Sequence, residues 1–353
     1  MRWYFTPENL TAANDAILSF IEMLDLPKLF RKDQSRTHTS SDGQKYPVAG
    51  DSLNANYSYK YFGKGKGVTV KSFIDESFRL FFSTVFSSSE REAAYVFDGL
   101  LHNDVVKSDI HSTDTHGYAE VIFGTAYLLG LIFAPRIKGI QDQQLYSFEK
   151  RKVYEAMGFK ILPQKYVNVA LIAEHWDELL RLIATIKLKE TTASQIFKRF
   201  NSYSKQHILY QTLKAFGQII KSKFILEYID DVILRQAIEK QLNKVEHSQK
   251  FAKAVFHGQN QEFTQETKEE QLIAEGCKRL IENAIICWNY LYLSQKLADA
   301  TPAERSAMIA LMKKSSIITW RHINLLGEYD FSDERLSKIA PFHLPKILEL
   351  KVL

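Results

Sequence analysis

The chain has 353 residues, 45% of them hydrophobic and 25% charged, with a net charge of +5 at neutral pH. That is enough chain for a full core plus insertions, and no apolar run of about 18 residues or more offers a membrane span. The opening MRWYFTPENL lacks the basic-then-apolar order of a signal peptide, and Cys277 and Cys287 fall in one predicted helix, which argues against a disulfide between them. A reducing cytoplasm is the simplest compartment.

Residues 7 to 31 predict an amphipathic helix, with Leu18, Ile21 and Leu24 on one face and Pro27 at its end. The polar stretch that follows, through TSSDGQKY and Asp42, has no periodicity of its own and reads as a loop. Ser41-Asp42-Gly43 is an ordinary turn tripeptide. Residues 52 to 62 and 68 to 74 predict two strands joined by GKGKG, and FRLFFSTVF predicts a third in an antiparallel meander. GKGKG, Gly63 to Gly67, has the look of a phosphate cradle but lacks the full P-loop pattern, so a hairpin turn is the better local reading. Ser89 followed by Glu92 predicts a capped helix start. Asp109 to Lys138 then predicts a strand end, a turn carrying Asp114, a packed helix and a second strand. In open α/β sheets, such turns lie at the carboxyl edge where ligands bind.

After Ile140 the pattern becomes helical, over 165 to 186, 192 to 226 and 228 to 257. The last of these places Ile233, Ala237, Leu242 and Val245 on one side. A polar loop, a helix holding both cysteines and a helical C-terminal region follow. The order fits a ribonuclease H-like α/β core with a mixed sheet and a large all-helical insertion. It divides as 1–140 for the strand-rich half, 141–232 for the insertion and 233–353 for the helical remainder. Charge is uneven along the chain. Arg181 to Lys223 holds nine Lys or Arg and one acid, Glu190, a local +8. The overall +5 less this +8 leaves about −3 for the rest. Lys198, Arg199, Lys205, Lys214, Lys221 and Lys223 are interleaved with Phe197, Phe200, Tyr203, Tyr210 and Phe216. The cations suit phosphates, while the aromatics suit either base stacking or burial behind a solvated face.

His111, Asp114 and His116 stand within six residues. The cluster reads as a zinc site, as a magnesium carboxylate with polar neighbours, or as a turn residue capping the next helix. Glu246 sits mid-helix with Lys250 one turn on, a spacing that also describes an ordinary surface ion pair.

Taken in order, TSSDGQKY (Asp42), SLNANYSYKYFGK, REAAYVFDGLLHN, HSTDTHGY (Asp114), FAPRIK, QLNKVEHSQ (Glu246) and WRHINLLGEYDF resemble the catalytic region of transposases of the replicative class II transposons, the Tn3 family. The resemblance runs roughly from Tyr4 to Phe331, and its order across the chain makes it specific. It implies a DDE-type ribonuclease H-like domain in which Asp42 and Asp114 are the two aspartates and Glu246 the glutamate, at intervals of 72 and 132 residues. The family often has a small residue before the glutamate, where Val245 stands here.

The implied cofactor is a pair of Mg²⁺ ions, for which Mn²⁺ substitutes, held by the three carboxylates. His111 and His116 become neighbours of that site rather than zinc ligands. The implied reaction is nicking of the transposon ends, then transfer of the freed 3′-hydroxyl to target DNA. The implied partners are the terminal inverted repeats, the target DNA and a second copy in a homodimer. Lys198, Arg199, Lys205 and Lys214 are the candidate DNA contacts, with Arg136 of FAPRIK and Lys250 beside the glutamate. The family's long end-recognising N-terminal region has no counterpart in this chain. The alternative reading is therefore a truncated, catalytically silent fragment that binds DNA or interferes with the intact transposase. A zinc hydrolase built on HSTDTH is a third reading.

Overall fold

The computed structural model describes residues 4–114, 119–202, 207–256, 261–328, 330, 332–334 and 342–352. Helix α1 (Pro7–Met23) and a 3-10 turn (Leu26–Phe30) lead into strand β1 (His38–Pro47). Short β2 (Asn56–Tyr57) and a single helical turn, α2 (Tyr59–Phe62), precede the long strands β3 (Lys66–Asp75) and β4 (Leu80–Ser87). Next come α3 (Val96–Leu101), β5 (Ile110–Ser112), α4 (Glu120–Leu128) and β6 (Ile132–Phe133). A small parallel pair, β7 (Tyr146–Ser147) and β8 (Lys165–Tyr166), brackets α5 (Arg151–Ala156). Helices α6 (Val169–Glu174), α7 (Trp176–Lys187), α8 (Ala193–Ser202) and α9 (Ile208–Asp230) follow. The chain continues through α10 (Val232–Val255), α11 (Lys268–Asp299), α12 (Pro302–Met312) and α13 (Leu344–Glu349). The fold is mixed α/β with a long helical C-terminal region, as the element order predicts.

The chain forms two compact units, one of residues 1–37, 43–89 and 244–353, the other of 38–42 and 90–243. Strand β1 and helix α10 each run from one unit into the other.

In the first unit β3 is the central strand. It pairs antiparallel with β4 from Val68 to Ile74, with an irregularity at Phe73 and Ile74, and antiparallel with β2 at Lys66 and Gly67. The expected meander is therefore present, but its first strand shrinks to two residues. Tyr57, Tyr59 and Tyr61 alternate in sequence yet all lie exposed, so nothing buries a continuous strand there and Tyr59–Phe62 turns helical. Strand β3 is buried along nearly its whole length, with Thr69, Lys71 and Asp75 buried among its apolar residues. Val68 and Val70 pack with Tyr46, Val85 and Phe263. Helix α11 packs on α1 and β4, and starts at a capping box in which Thr267 accepts from the Glu270 N–H while the Glu270 carboxylate accepts from the Thr267 N–H. The β3–β4 turn is held by charge. Arg79 donates to Asp75 at 2.7 Å and reaches Glu22 of α1 at 2.6 Å, while the Tyr290 hydroxyl donates to the Ser77 carbonyl.

The second unit contains a β-α-β crossover. The first half of β1, then β5 and β6, lie parallel, with α4 joining β5 to β6. Phe123 of α4 packs against Phe133 on β6 and Phe224 on α9. Helices α4 and α9 approach so closely that glycine is required on both. A Cβ at Gly217 would stand 1.8 Å from the Glu120 carbonyl oxygen, and one at Gly124 would stand 3.0 Å from the Leu213 carbonyl oxygen. Helical runs expected at 165 to 186 and 192 to 226 are present in pieces. The run expected at 228 to 257 begins at Val232, because the Asp231 carboxylate accepts from the Leu234 N–H and starts a new helix where α9 has ended. Ser89 does not cap a helix. Its hydroxyl accepts from the Asn56 side chain, and Glu92–Tyr95 forms a 3-10 turn instead.

Candidate active site

Asp42 lies within β1, where a turn was expected. The residues before it, His38, Thr39, Ser40 and Ser41, are all buried, as are His111, Ser112 and Thr113 before Asp114. Burying polar side chains in a sheet interior costs free energy unless their hydrogen bonds are met there; most of these are met, whereas Thr113 Oγ1 is buried with no hydrogen-bond partner among the described residues. Alternation along the strands sorts them onto two faces. On one face His38 Nε2 and Ser112 Oγ lie 2.8 Å apart, and Ser112 Oγ donates to the Ala134 carbonyl. Ser40 Oγ on that same face donates to the Gln241 carbonyl at 3.1 Å and accepts from Gln241 Nε2 at 3.2 Å. On the other face His111 sits between two hydroxyls, Nδ1 at 2.8 Å from Thr39 Oγ1 and Nε2 at 2.9 Å from Ser41 Oγ. Hydroxyls donate or accept as required, so either imidazole tautomer is accommodated.

The pairing fixes where the two aspartates emerge. Strands β1 and β5 are parallel with Ser40 opposite Ser112. Asp42 and Asp114 each follow two residues later, on the face of Ser40 and Ser112, and both are partly exposed. Two carboxylates would offer only oxygen donors, which suit a hard divalent cation better than zinc. His111 projects from the opposite face, under Ser41, and shares that face with Thr39 rather than with Asp114. His116 lies outside the described residues.

Glu246 is exposed on α10, between buried Val245 and half-buried His247. Val245 is 1% exposed, so the branched side chain preceding the glutamate is absorbed by the core. The helix is pinned to β1 in both units, by Gln241 on Ser40 and by Gln44 Nε2 donating to the Gln249 carbonyl at 3.3 Å. Lys244 donates to the Glu76 carbonyl beneath the Phe78 ring. Trp320, from the last of the family-like motifs, stacks on Phe251 at 5.1 Å and contacts His247, whose Nδ1 lies 3.1 Å from Ser316 Oγ. Burial, with Lys250 nearby, lowers the His247 pKa and keeps the ring neutral to more acid pH. Among the described residues, no three His, Cys, Asp or Glu side chains stand close enough together to hold a metal ion.

Part of the basic segment is engaged in ion pairs within the protein. Lys198 pairs with Glu90 at 2.7 Å over the Tyr95 ring, and Arg136 pairs with Glu239 at 3.4 Å. Lys221 pairs with Glu120 and Lys223 with Glu227. Arg199, Lys214 and Lys250 are exposed, and Lys205 lies outside the described residues. Phe197 and Phe200 are buried, and Phe216 packs against Tyr127 and Trp176, so these rings are core rather than platforms for bases. Sequence reading missed the polar interior beneath the aspartates. Its signal was present, since TSSD and HSTD are near-copies, each a run of hydroxyls ending in an aspartate.

The fold is mixed α/β, with Asp42 inside β1 and Asp114 just after β5. Comparison with known proteins gives the family. The model described as the Tn3 transposase DDE domain matches residues 1–329. The transposase for transposon Tn1546 of Enterococcus faecium is 33% identical over 347 residues, 97% of this chain and 34% of that protein. The transposase for transposon Tn501 of Pseudomonas aeruginosa is 30% identical over 313 residues, 88% of this chain and 32% of that protein. The transposase for transposon gamma-delta of Escherichia coli (strain K12) is 28% identical over 330 residues, 93% of this chain and 32% of that protein. The chain belongs to the Tn3 transposase DDE domain family and spans about a third of the length of these curated relatives. No described helix is long and apolar enough to cross a membrane.

Proposed function

We propose that this chain carries the DNA-cleaving and strand-transfer site of a transposase, with Asp42, Asp114 and Glu246 as its three carboxylates. The observation that carries the reading is the matched placement of Asp42 and Asp114, two residues beyond the paired Ser40 and Ser112 of parallel strands. Glu246 completes the set in this reading. Asp42 lies between Ser40 and Gln44, and Glu246 between Gln241 and Gln249, the four residues whose hydrogen bonds tie α10 to β1. Family membership supports the same assignment.

Three carboxylates would offer the oxygen donors that Mg²⁺ prefers, with Mn²⁺ as a substitute. When bound, two such ions stabilise negative charge on the attacking and leaving oxygens of an in-line displacement. The protein's own part is to hold the carboxylates at fixed positions. The hydroxyl and imidazole network under Asp42 and Asp114 locks both strand ends, with His111 acting through Ser41 and Thr39 on the β1 backbone. In the proposed reaction a transposon end is nicked by water, and the exposed 3′-hydroxyl then attacks target DNA at the same site. The DNA partners are the terminal inverted repeats and the target, with a homodimer as the acting form in the bacterial cytoplasm. Arg199, Lys214 and Lys250 are the exposed candidates for phosphate contact. Lys198 and Arg136 would have to exchange their acidic partners for phosphates to join them.

The test is a nicking assay on duplex DNA bearing a transposon end, with and without Mg²⁺. Metal-dependent nicks are expected from the wild type and only background from Asp42→Asn and Asp114→Asn, both of which should still bind DNA. Nicking retained by Asp114→Asn would overturn the assignment.

A further inference from the structure

The GKGKG turn is the one sequence motif that the proposed reaction leaves unused, and the structure gives it a setting. A cavity of about 710 Å³ in the first unit is bounded by that turn, by the end of β1 and by the last turn of α10. Three lysines from these three elements line it: Lys66, Lys45 and Lys253. Glu262 is the one acidic side chain in the lining, so the wall carries a surplus of two positive charges.

The cavity is built rather than incidental. Lys45 is part-buried, and its ammonium is held by donation to Thr69 Oγ1 at 2.6 Å and to the Ser88 carbonyl at 3.3 Å. It also lies over the Tyr61 ring, which forms part of the same wall. The turn is shaped by a close approach. A Cβ at Gly67 would fall 2.3 Å from the Phe62 ring and 2.4 Å from the Tyr46 carbonyl oxygen, so only glycine lets Phe62 fold under the turn. Lys66, next to it, lies over the Tyr57 ring and pairs with the fully exposed Asp51 at 3.8 Å, a weak pair in water. Lys253 has no acidic partner within ion-pair distance among the described residues. Gathering three ammonium groups around one solvent-filled space costs self-repulsion, which an anion seated there relieves.

We propose that this cavity is a phosphate-binding subsite, in which Lys45, Lys66 and Lys253 hold a backbone phosphate of the DNA on which the chain acts. The proposal rests on the DNA-acting reading above. It assigns the turn a function through the lysine it carries rather than through the glycine-rich nest of a P-loop. Lysine contacts to phosphate are non-directional, so the subsite contributes affinity and register without sequence preference.

The test measures affinity for a random-sequence duplex of 30 base pairs, in EDTA, across a salt series. The proteins compared are wild type, Lys66→Ala, Lys253→Ala and their double variant, with Lys28→Ala as the control, because Lys28 pairs with Asp25 outside the cavity. Each pocket variant is expected to weaken binding about fivefold, equally on unrelated sequences, and to lower the slope of log affinity against log salt by about one. Lys66→Arg should retain the slope, a result that a merely structural role for Lys66 does not predict. Unchanged slopes in both alanine variants overturn the inference, as does failure to bind DNA at all. A second arm titrates pyrophosphate. Tight pyrophosphate binding that the variants lose, with DNA slopes untouched, assigns the pocket to a free phosphate ligand and also overturns the inference. Because no metal is present, the outcome is separable from the nicking assay. Slopes that fall in a protein that never nicks leave this subsite standing and remove the nuclease, and the reverse pattern does the opposite.

Discussion

The contact of α4 with α9 makes Gly217→Ala the most informative single change in the second unit. Two effects oppose each other. Alanine in a helix interior is favoured over glycine by about 1 kcal/mol, so on propensity alone the variant should be more stable. Against this, the added methyl would stand 1.8 Å from the Glu120 carbonyl oxygen and 2.5 Å from its carbonyl carbon. Both are backbone atoms of α4, so no rotamer change relieves the clash. Real Cβ contacts essentially never fall below 3.0 Å, and the helices must part by more than 1 Å locally. Overpacking of this kind costs about 1–3 kcal/mol and occasionally more, and a displacement of rigid backbone belongs at the upper end. We expect a net loss of about 2 kcal/mol, or about 4–8 °C in melting temperature for a cooperative unit of this size.

The perturbed atom also matters for the site. Glu120 opens α4, six residues after Asp114 in the sequence, so separating the helices displaces the start of α4. Nicking by the variant, assayed well below its melting temperature, should fall more than its folded fraction accounts for. Gly50→Ala is the control, because a Cβ there meets nothing within 4 Å. A Gly217→Ala protein that melts at or above the wild type would refute the close approach and show that propensity decides.

Two further outcomes can be measured on the first unit. Glu282 is buried on α11 beside Lys278. Burial pushes its carboxyl up to about 7, with Lys278 opposing and Glu275 adding to the rise. The folded state therefore keeps a proton that the unfolded chain loses, and stability should decline as pH rises from about 4.5 to 7 and then level off. Glu282→Gln should flatten that slope, gaining on the order of 2–3 kcal/mol relative to wild type between pH 5 and 8. Denaturant melts at both values check it, and an unchanged slope would be fatal to the argument. Trp320→Ala should cost about 2 kcal/mol through lost packing on Phe251 and should let the His247 pKa rise, since burial is the main cause holding it down. An NMR titration of His247 that does not move would show that Trp320 does not shield it.

How much of this was legible in the sequence depended on what kind of residue filled the interior. Strand β4 and helix α1 bury mainly aliphatic and aromatic faces, and period alone recovers them. The first half of strand β1 defeats that method because its buried side chains are His38, Thr39, Ser40 and Ser41, which read locally as a polar loop. The hydrogen bonds that compensate their burial reach partners about 70 residues away, at Ser108, His111 and Ser112, and about 200 away, at Gln241. No local window contains those partners. The ordered set of motifs supplied what periodicity could not, placing Asp42 and Asp114 together before any strand could be assigned to Asp42. The same dependence bears on the site. A carboxylate pair set on aliphatic strands would be held by packing alone, which tolerates small slips. Here each strand end is fixed by directional hydrogen bonds, so loss of one hydroxyl or imidazole leaves buried groups unsatisfied and moves the aspartate it supports. The polar interior that hides β1 from a sequence reading is thus the same feature that ties β1 to β5.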